Sequence, residues 1–200
     1  SLEESIIQMG KNKTLVKEII EVLEILIDKV DFKEVDIDLP YNQPLKVHAR
    51  YTRDQILAAF RLSTFDRKSP SREGVAENVE LNTELLFINL IKSEENFSPT
   101  TMYDDYAISE TLFHWQSQNS ARPDIGKGLS YIQHQETDKK ILLFVREKAK
   151  DEKGNTMGYV FIGEGTFKEN EGEKPMNIKW KLNEPMPNYL WKESAKMSVD

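Results

Sequence analysis

Residues 103–116 place an aromatic ring and two carboxylates, Tyr103, Asp104 and Asp105, ahead of a second aromatic with an amide neighbour, Trp115 and Gln116. Rings that can cover both faces of a planar molecule, with an acceptor for an exocyclic amine, suit a flat hydrogen-bonding ligand. A nucleobase swung out of a duplex is such a ligand. Neighbours in an extended chain point to opposite faces, so only one of Asp104 and Asp105 can enter a given pocket. His114 and Gln116 share the face opposite Trp115, and with Trp115 on the base, Gln116 offers its backbone groups rather than its side chain. The competing reading makes Tyr103 and Trp115 core aromatics and the aspartates a turn. Under the pocket reading, removing the Trp115 ring abolishes base preference at little cost in stability.

Other chemistry finds less support. There is no G-x-x-x-x-G-K-[ST] loop and no H-E-x-x-H helix, and His48, His114 and His134 lack metal-ligand spacing. Asp138-Lys139-Lys140 and Asp151-Glu152-Lys153 offer an acid beside lysine near strand ends, which keeps a metal-dependent nuclease as an alternative. Without cysteine, disulfides and thiolate zinc sites are excluded.

The chain is acidic, with 27 basic against 34 acidic residues, yet residues 46–72 carry seven bases against two acids. That reversal reads as a surface for phosphates, with Arg67, Lys68, Ser69 and Arg72 as contacts, or as an ordinary solvated face. The stretch from Gln116 to Gly128 reads as a polar, glycine-containing loop leaving the Trp115 strand, and Asn119, Ser120, Arg122 and Lys127 are its candidate backbone or groove contacts.

The elements that must position these residues follow from periodicity. Leu15, Ile19, Leu23, Leu26 and Val30 mark an amphipathic helix that Asn12 or Thr14 can cap. Asp36 to Pro44 reads as a connector, dividing a helical segment, 1–44, from a second unit, 45–200. Thr52 and Gln55 stand at capping-box spacing before a helix over Arg53–Leu62. Strand patterns cover 83–91, 112–118, 140–146, 157–163 and 176–182, and a short helix is expected after Pro187. Five strands with turn-rich links predict an α+β fold built on a curved, barrel-like sheet with flanking helices. No stretch has the roughly 20 apolar residues that span a bilayer, so a cytoplasmic protein is expected.

The segment resembles the SRA fold, the SET-and-RING-associated readers of 5-methylcytosine. Their pocket motif runs Tyr-x-Asp-Asp, followed by a strand with Phe-x-Tyr-Thr. Tyr103, Phe113, Trp115 and Gln116 match in register; Asp105 matches the amine-accepting carboxylate one position early, with Asp104 the alternative. More of the chain is similar to the domain at the C terminus of bacterial superfamily II helicases, on Leu45–Gln55, Ser63–Val75 and Phe113–Gln118. The likeness is strongest to the SauUSI type of ATP-dependent type IV restriction enzymes, which attack DNA carrying 5-methylcytosine or 5-hydroxymethylcytosine. The resemblance implies an SRA/PUA-like fold, double-stranded DNA with modified cytosine as partner, and base flipping. It also implies helicase and phospholipase-D-type nuclease domains upstream of Ser1, reached through the N-terminal helix. The fragment would need no cofactor; ATP and magnesium would serve the parent. A module that regulates an attached helicase by protein contacts is the remaining alternative.

Overall fold

The computed structural model describes residues 2–28, 33–64, 66–67, 74–90 and 105–191. By its contacts the chain forms two units, Ser1–Lys33 and Glu34–Asp200. The first holds α1 (Leu2–Gly10) and α2 (Lys13–Asp28). Asn12 caps α2, its side-chain oxygen accepting the Leu15 N–H at 3.1 Å. Within this unit Ile6, Ile7, Val22, Leu23, Ile25 and Leu26 remain more than half exposed.

Among the described residues, the second unit holds a mixed sheet of eight strands and the short helices α3 and α4. Its elements are β1 (Arg50–Tyr51), α3 (Arg53–Ala59), β2 (Val75–Asn78), β3 (Thr83–Asn89), β4 (Tyr106–Ser109), β5 (Leu112–Gln116), α4 (Gly126–Ile132), β6 (Lys140–Arg146), β7 (Tyr159–Glu171) and β8 (Asn177–Leu182). The strand order is β2-β3-β6-β7-β8-β5-β4, with β1 added on β7, and the sheet is not closed. The α+β class is as expected. The strands exceed the five read from the sequence because β1, β2 and β4 are four residues or shorter.

The middles of β3 (Leu85–Ile88) and β6 (Ile141–Val145) are wholly apolar because both faces of these strands are covered. They pair in parallel, Thr83 with Lys140 through Asn89 with Arg146. Leu85, Phe87, Leu142 and Phe144 point to one face, where Ile56 and Leu57 of α3 and Phe60 at its C-terminus cover them. Leu86, Ile88, Ile141, Leu143 and Val145 point to the other. There they meet Phe113, Trp115, Ile178 and Trp180, so the sheet curls and encloses its second core. The 13-residue β7 makes this possible, pairing first with β6 and β1 and then with β8. A bulge interrupts its register with β6 beside Gly163, whose φ of 98° suits glycine.

The predicted capping box is present. Thr52 Oγ1 accepts the Gln55 N–H and Gln55 Oε1 accepts the Thr52 N–H, but α3 ends at Ala59, before the predicted Leu62. Residues 36–44, read from the sequence as connector, lie in the larger unit, and just ahead of them Val35 bridges Val47. A helical turn occupies 188–191 after Pro187.

Candidate functional site

Two neighbouring antiparallel strands, β4 and β5, sort the motif residues by face. Tyr106 stands opposite His114 and Ala107 opposite Phe113. Alternation turns Ala107, Phe113 and Trp115 into the enclosed core, where they are 2%, 0% and 4% exposed. Asp105, immediately before β4, shares that inner face and is 7% exposed. Its Oδ1 accepts the backbone N–H of Gln116 at 2.8 Å. A carboxylate, a main-chain N–H and the end of the indole strand are thus gathered at one end of the hairpin.

Trp115 is a core ring here rather than an open slab. It meets Tyr131 of α4 edge to face at 5.4 Å and lies 6.4 Å from Trp180 of β8. The inward parity of β5 that aligns it with Asp105 also surrounds it with side chains. Gln116 has its backbone N–H on Asp105, while its side chain reaches Asn177 Oδ1 at 3.4 Å on the outer face. Tyr103 and Asp104 lie outside the described residues, as do Lys68, Ser69 and Arg72. Arg67 is exposed, its backbone closing a turn with Thr64.

The expected loop from Gln116 to Gly128 is shorter than predicted, because Gly126, Lys127 and Gly128 form the first turn of α4. Gly128 permits this: a Cβ there would sit 2.0 Å from the Arg122 carbonyl oxygen. Asn119 and Ser120 are exposed in a turn. Arg122 pairs with Asp124 at 2.9 Å, and Lys127 pairs with Glu77 and, at 3.1 Å, with Glu84. Both predicted phosphate contacts therefore already carry carboxylate partners within the chain.

Behind Trp115 lies an ionic network that the sequence reading missed. Lys139, 6% exposed, contacts Glu77 at 2.6 Å and Glu84, fully buried, at 2.8 Å. Tyr131 donates to Glu84 Oε1 at 3.0 Å. Burial, reinforced by the Glu84 charge, pushes the Tyr131 hydroxyl far above its ordinary pKa and keeps it a donor. Burial also raises Glu77, but the hydrogen bonds from Lys127 and Lys139 outweigh it and hold that carboxyl below its usual value. Nothing local marks this network, since Glu84 and Tyr131 are 47 residues apart.

On the outer face a cleft of about 550 Å³ is lined by Tyr106, His114, Glu169, Glu171, Asn177 and Lys179. Tyr106 and His114 stack at 4.6 Å, and Lys179 pairs with Glu169 at 2.7 Å. The acid-lysine pairs noted from the sequence have local partners: Asp151 Oδ1 accepts the N–H groups of Lys153 and Asn155, and Lys140 pairs with Glu164 at 3.0 Å. Among the described residues no group of His, Asp and Glu could hold a metal ion, and no helix is long and apolar enough to cross a membrane.

The chain belongs to the family described as domain of unknown function DUF3427, whose model matches residues 45–194. No curated protein matches it. Among solved structures it is similar to Arabidopsis thaliana SUVH6 in complex with SAM, at 13% identity and a TM-score of 0.43, over 83% of this chain and 32% of that one. The similarity thus spans about a third of the SUVH6 chain. It is also similar to the SUVH5 SRA domain with hemi-methylated CG DNA and with methylated CHH DNA, each at 12% identity. The TM-scores are 0.42 and 0.41, over 74% of this chain and 95% of those.

Proposed function

We propose that this member of the DUF3427 family is a DNA-binding domain that takes a 5-methylated or 5-hydroxymethylated cytosine out of the duplex. In this proposal it is the target-recognition domain of a SauUSI-type restriction enzyme. The ATP- and magnesium-dependent motor and the nuclease lie in other parts of the same polypeptide. The two-helix unit, with its exposed apolar side chains, is the connector to the motor.

One observation carries the reading: Asp105 is buried on the same face as Trp115 and bonded to the main chain of Gln116. A carboxylate beside a main-chain N–H matches the edge of cytosine, which offers an amine donor next to ring and carbonyl acceptors. Thymine places an acceptor where cytosine has its amine, leaving the carboxylate unpaired, and sites of this kind discriminate by roughly 10⁴. The methyl group itself contributes only about 0.8 kcal/mol, roughly fourfold. Because Asp105 and Trp115 already have partners inside the chain, base entry exchanges those contacts. Methyl selectivity then comes from how well the modified base repays that exchange. Tyr103 supplies the second ring of the sandwich in this proposal.

The test is a titration of the chain with short duplexes that differ only in one 5-methyl group. The methylated duplex should bind at least about fourfold tighter, the contribution of a buried methyl. Equal affinities would sink the reader assignment. Divalent-dependent cutting by the isolated chain would replace it with a nuclease, and failure to bind any duplex at low salt with a protein-interaction module.

A further inference from the structure

Three consecutive residues at the exit of β5 are held one by one. Gln116 gives its N–H to Asp105, and Ser117 exchanges two bonds with Met176, its N–H donating at 2.9 Å and its Oγ accepting at 2.8 Å. Gln118 Oε1 accepts from the Tyr131 hydroxyl at 3.1 Å. The same hydroxyl lies 3.0 Å from Glu84 Oε1, and since a phenol has one hydrogen to give, the two acceptors share it. Tyr131 is fully buried, with its ring edge to face against Trp115 at 5.4 Å and against Trp180 at 6.2 Å. A single side chain of α4 therefore braces the Trp115 ring with its own ring and the β5 exit with its hydroxyl.

The anchor of that hydroxyl is ionic. Glu84 has the inward parity of Leu86 and Ile88 on β3, which turns its carboxylate into the core beside α4. Lys127 and Tyr131 stand one turn apart on α4 and converge on the same Glu84 oxygen, at 3.1 and 3.0 Å. Lys139 lies 2.8 Å from the other oxygen and donates to Ser130 Oγ at 3.1 Å, fixing α4 a second time. Replacing a buried ion pair by apolar side chains of similar volume is often neutral or stabilising, so stability alone does not account for this one. What the network adds is direction: Tyr131 keeps one place even when the indole beside it moves.

We propose that Tyr131 is a positioning residue of the modified-base site, fixed by Glu84 and Gln118 so that it stays in place while an entering base exchanges the contacts of Trp115 and Asp105. The inference rests on the reading of the chain as a modified-cytosine reader and adds where methyl selectivity resides. A wall that yields closes around an unmodified base as well as a methylated one. A wall that holds leaves a gap that only the 5-substituent fills, and an unfilled gap forfeits its packing contacts.

The test titrates the wild type, Tyr131→Phe and Leu57→Ala with the methylated and the unmodified duplex, with urea unfolding as a check on folding. Tyr131→Phe keeps the ring and loses its anchor, so the preference for the methylated duplex should drop from at least about fourfold to below about twofold. Leu57 lies in the core on the opposite face of β3 and β6, so Leu57→Ala loses stability without touching Tyr131 and should keep the wild-type ratio. A folded Tyr131→Phe with the wild-type ratio overturns the proposal, and so does an equal fall of the ratio in Leu57→Ala. Should Tyr131→Phe not fold, Gln118→Ala, which removes only the acceptor at the β5 exit, decides by the same ratio: a fall supports the role and an unchanged ratio overturns it. Equal wild-type affinities for the two duplexes defeat the modified-cytosine reading and this inference with it, whereas a wild-type preference that survives in Tyr131→Phe defeats this inference alone.

Discussion

The Asp105 carboxylate and the Gln116 backbone N–H are 2.8 Å apart although they stand eleven positions apart in the chain. This bond ties the entry of β4 to the exit of β5, and it turns the carboxylate toward the face that Trp115 occupies. A hydrogen bond to a charged acceptor contributes roughly 1.5–3 kcal/mol. A base bonded to Asp105 would share the carboxylate with the main chain, so ligand binding and hairpin geometry are linked here.

Asp105→Asn keeps the size of the side chain and an oxygen for the Gln116 N–H but removes the charge. It should cost no more than about 1 kcal/mol in stability, a neutral hydrogen bond replacing a charged one. Affinity for a methylated duplex should fall about tenfold or more, the worth of a charge-assisted bond to the cytosine amine. Parallel titration and urea unfolding check both; unchanged affinity in the folded variant would remove Asp105 from the site.

Trp115→Ala should destabilise the chain by about 3–5 kcal/mol, because it empties a core position packed against Tyr131 and Trp180. This reverses the expectation drawn from the motif alone. Trp115→Phe keeps a ring and should recover most of the lost stability, so it is the variant in which base preference can be compared by titration.

The contrast shows what local pattern carries. Lys140–Arg146 is legible as a strand to the residue, and Thr52 and Gln55 announce their helix, because periodicity and capping are set within a few positions. Alternation also separated Trp115 from His114 and Gln116. It could not tell a pocket face from a core face, since that depends on the distant strands β3 and β6, whose side chains cover Phe113 and Trp115. Lys127 read as a loop cation for the same reason: its carboxylates, Glu77 and Glu84, lie on β2 and β3.

Lys139→Met leaves Glu84 buried with one lysine fewer and should cost about 3 kcal/mol, the penalty of breaking a buried pair. Glu84→Gln should be comparably harmful. Their combination should cost clearly less than the sum, and a double-mutant cycle by urea unfolding measures the difference. Additive effects would mean that the two charges do not interact.

His134 places a neutral imidazole between two backbone groups. The Lys139 carbonyl can only accept from Nδ1, so Nε2 is the acceptor for the Phe167 N–H at 2.9 Å. Burial holds its pKa below the ordinary 6.5. Between those values the unfolded chain binds the proton that the folded chain refuses, so this contribution is complete above about pH 6.5 and is lost as pH falls below it. Glu77 and Glu147, also held below their usual values, add acid sensitivity only beneath about pH 4.5. Melting temperature should therefore start to fall below pH 6.5. His134→Gln, which can keep one donor and one acceptor, should flatten that first phase; an identical profile would exclude His134 as its source.

The central claim is that a modified cytosine leaves the helix for the Asp105 face, and a fluorescent adenine analogue beside that cytosine reports the event directly. Adding the chain should raise the analogue's fluorescence strongly in the methylated duplex and far less in the unmodified one, with the rise diminished in Asp105→Asn. Saturating binding with no rise, or an equal rise in both duplexes, would contradict the account.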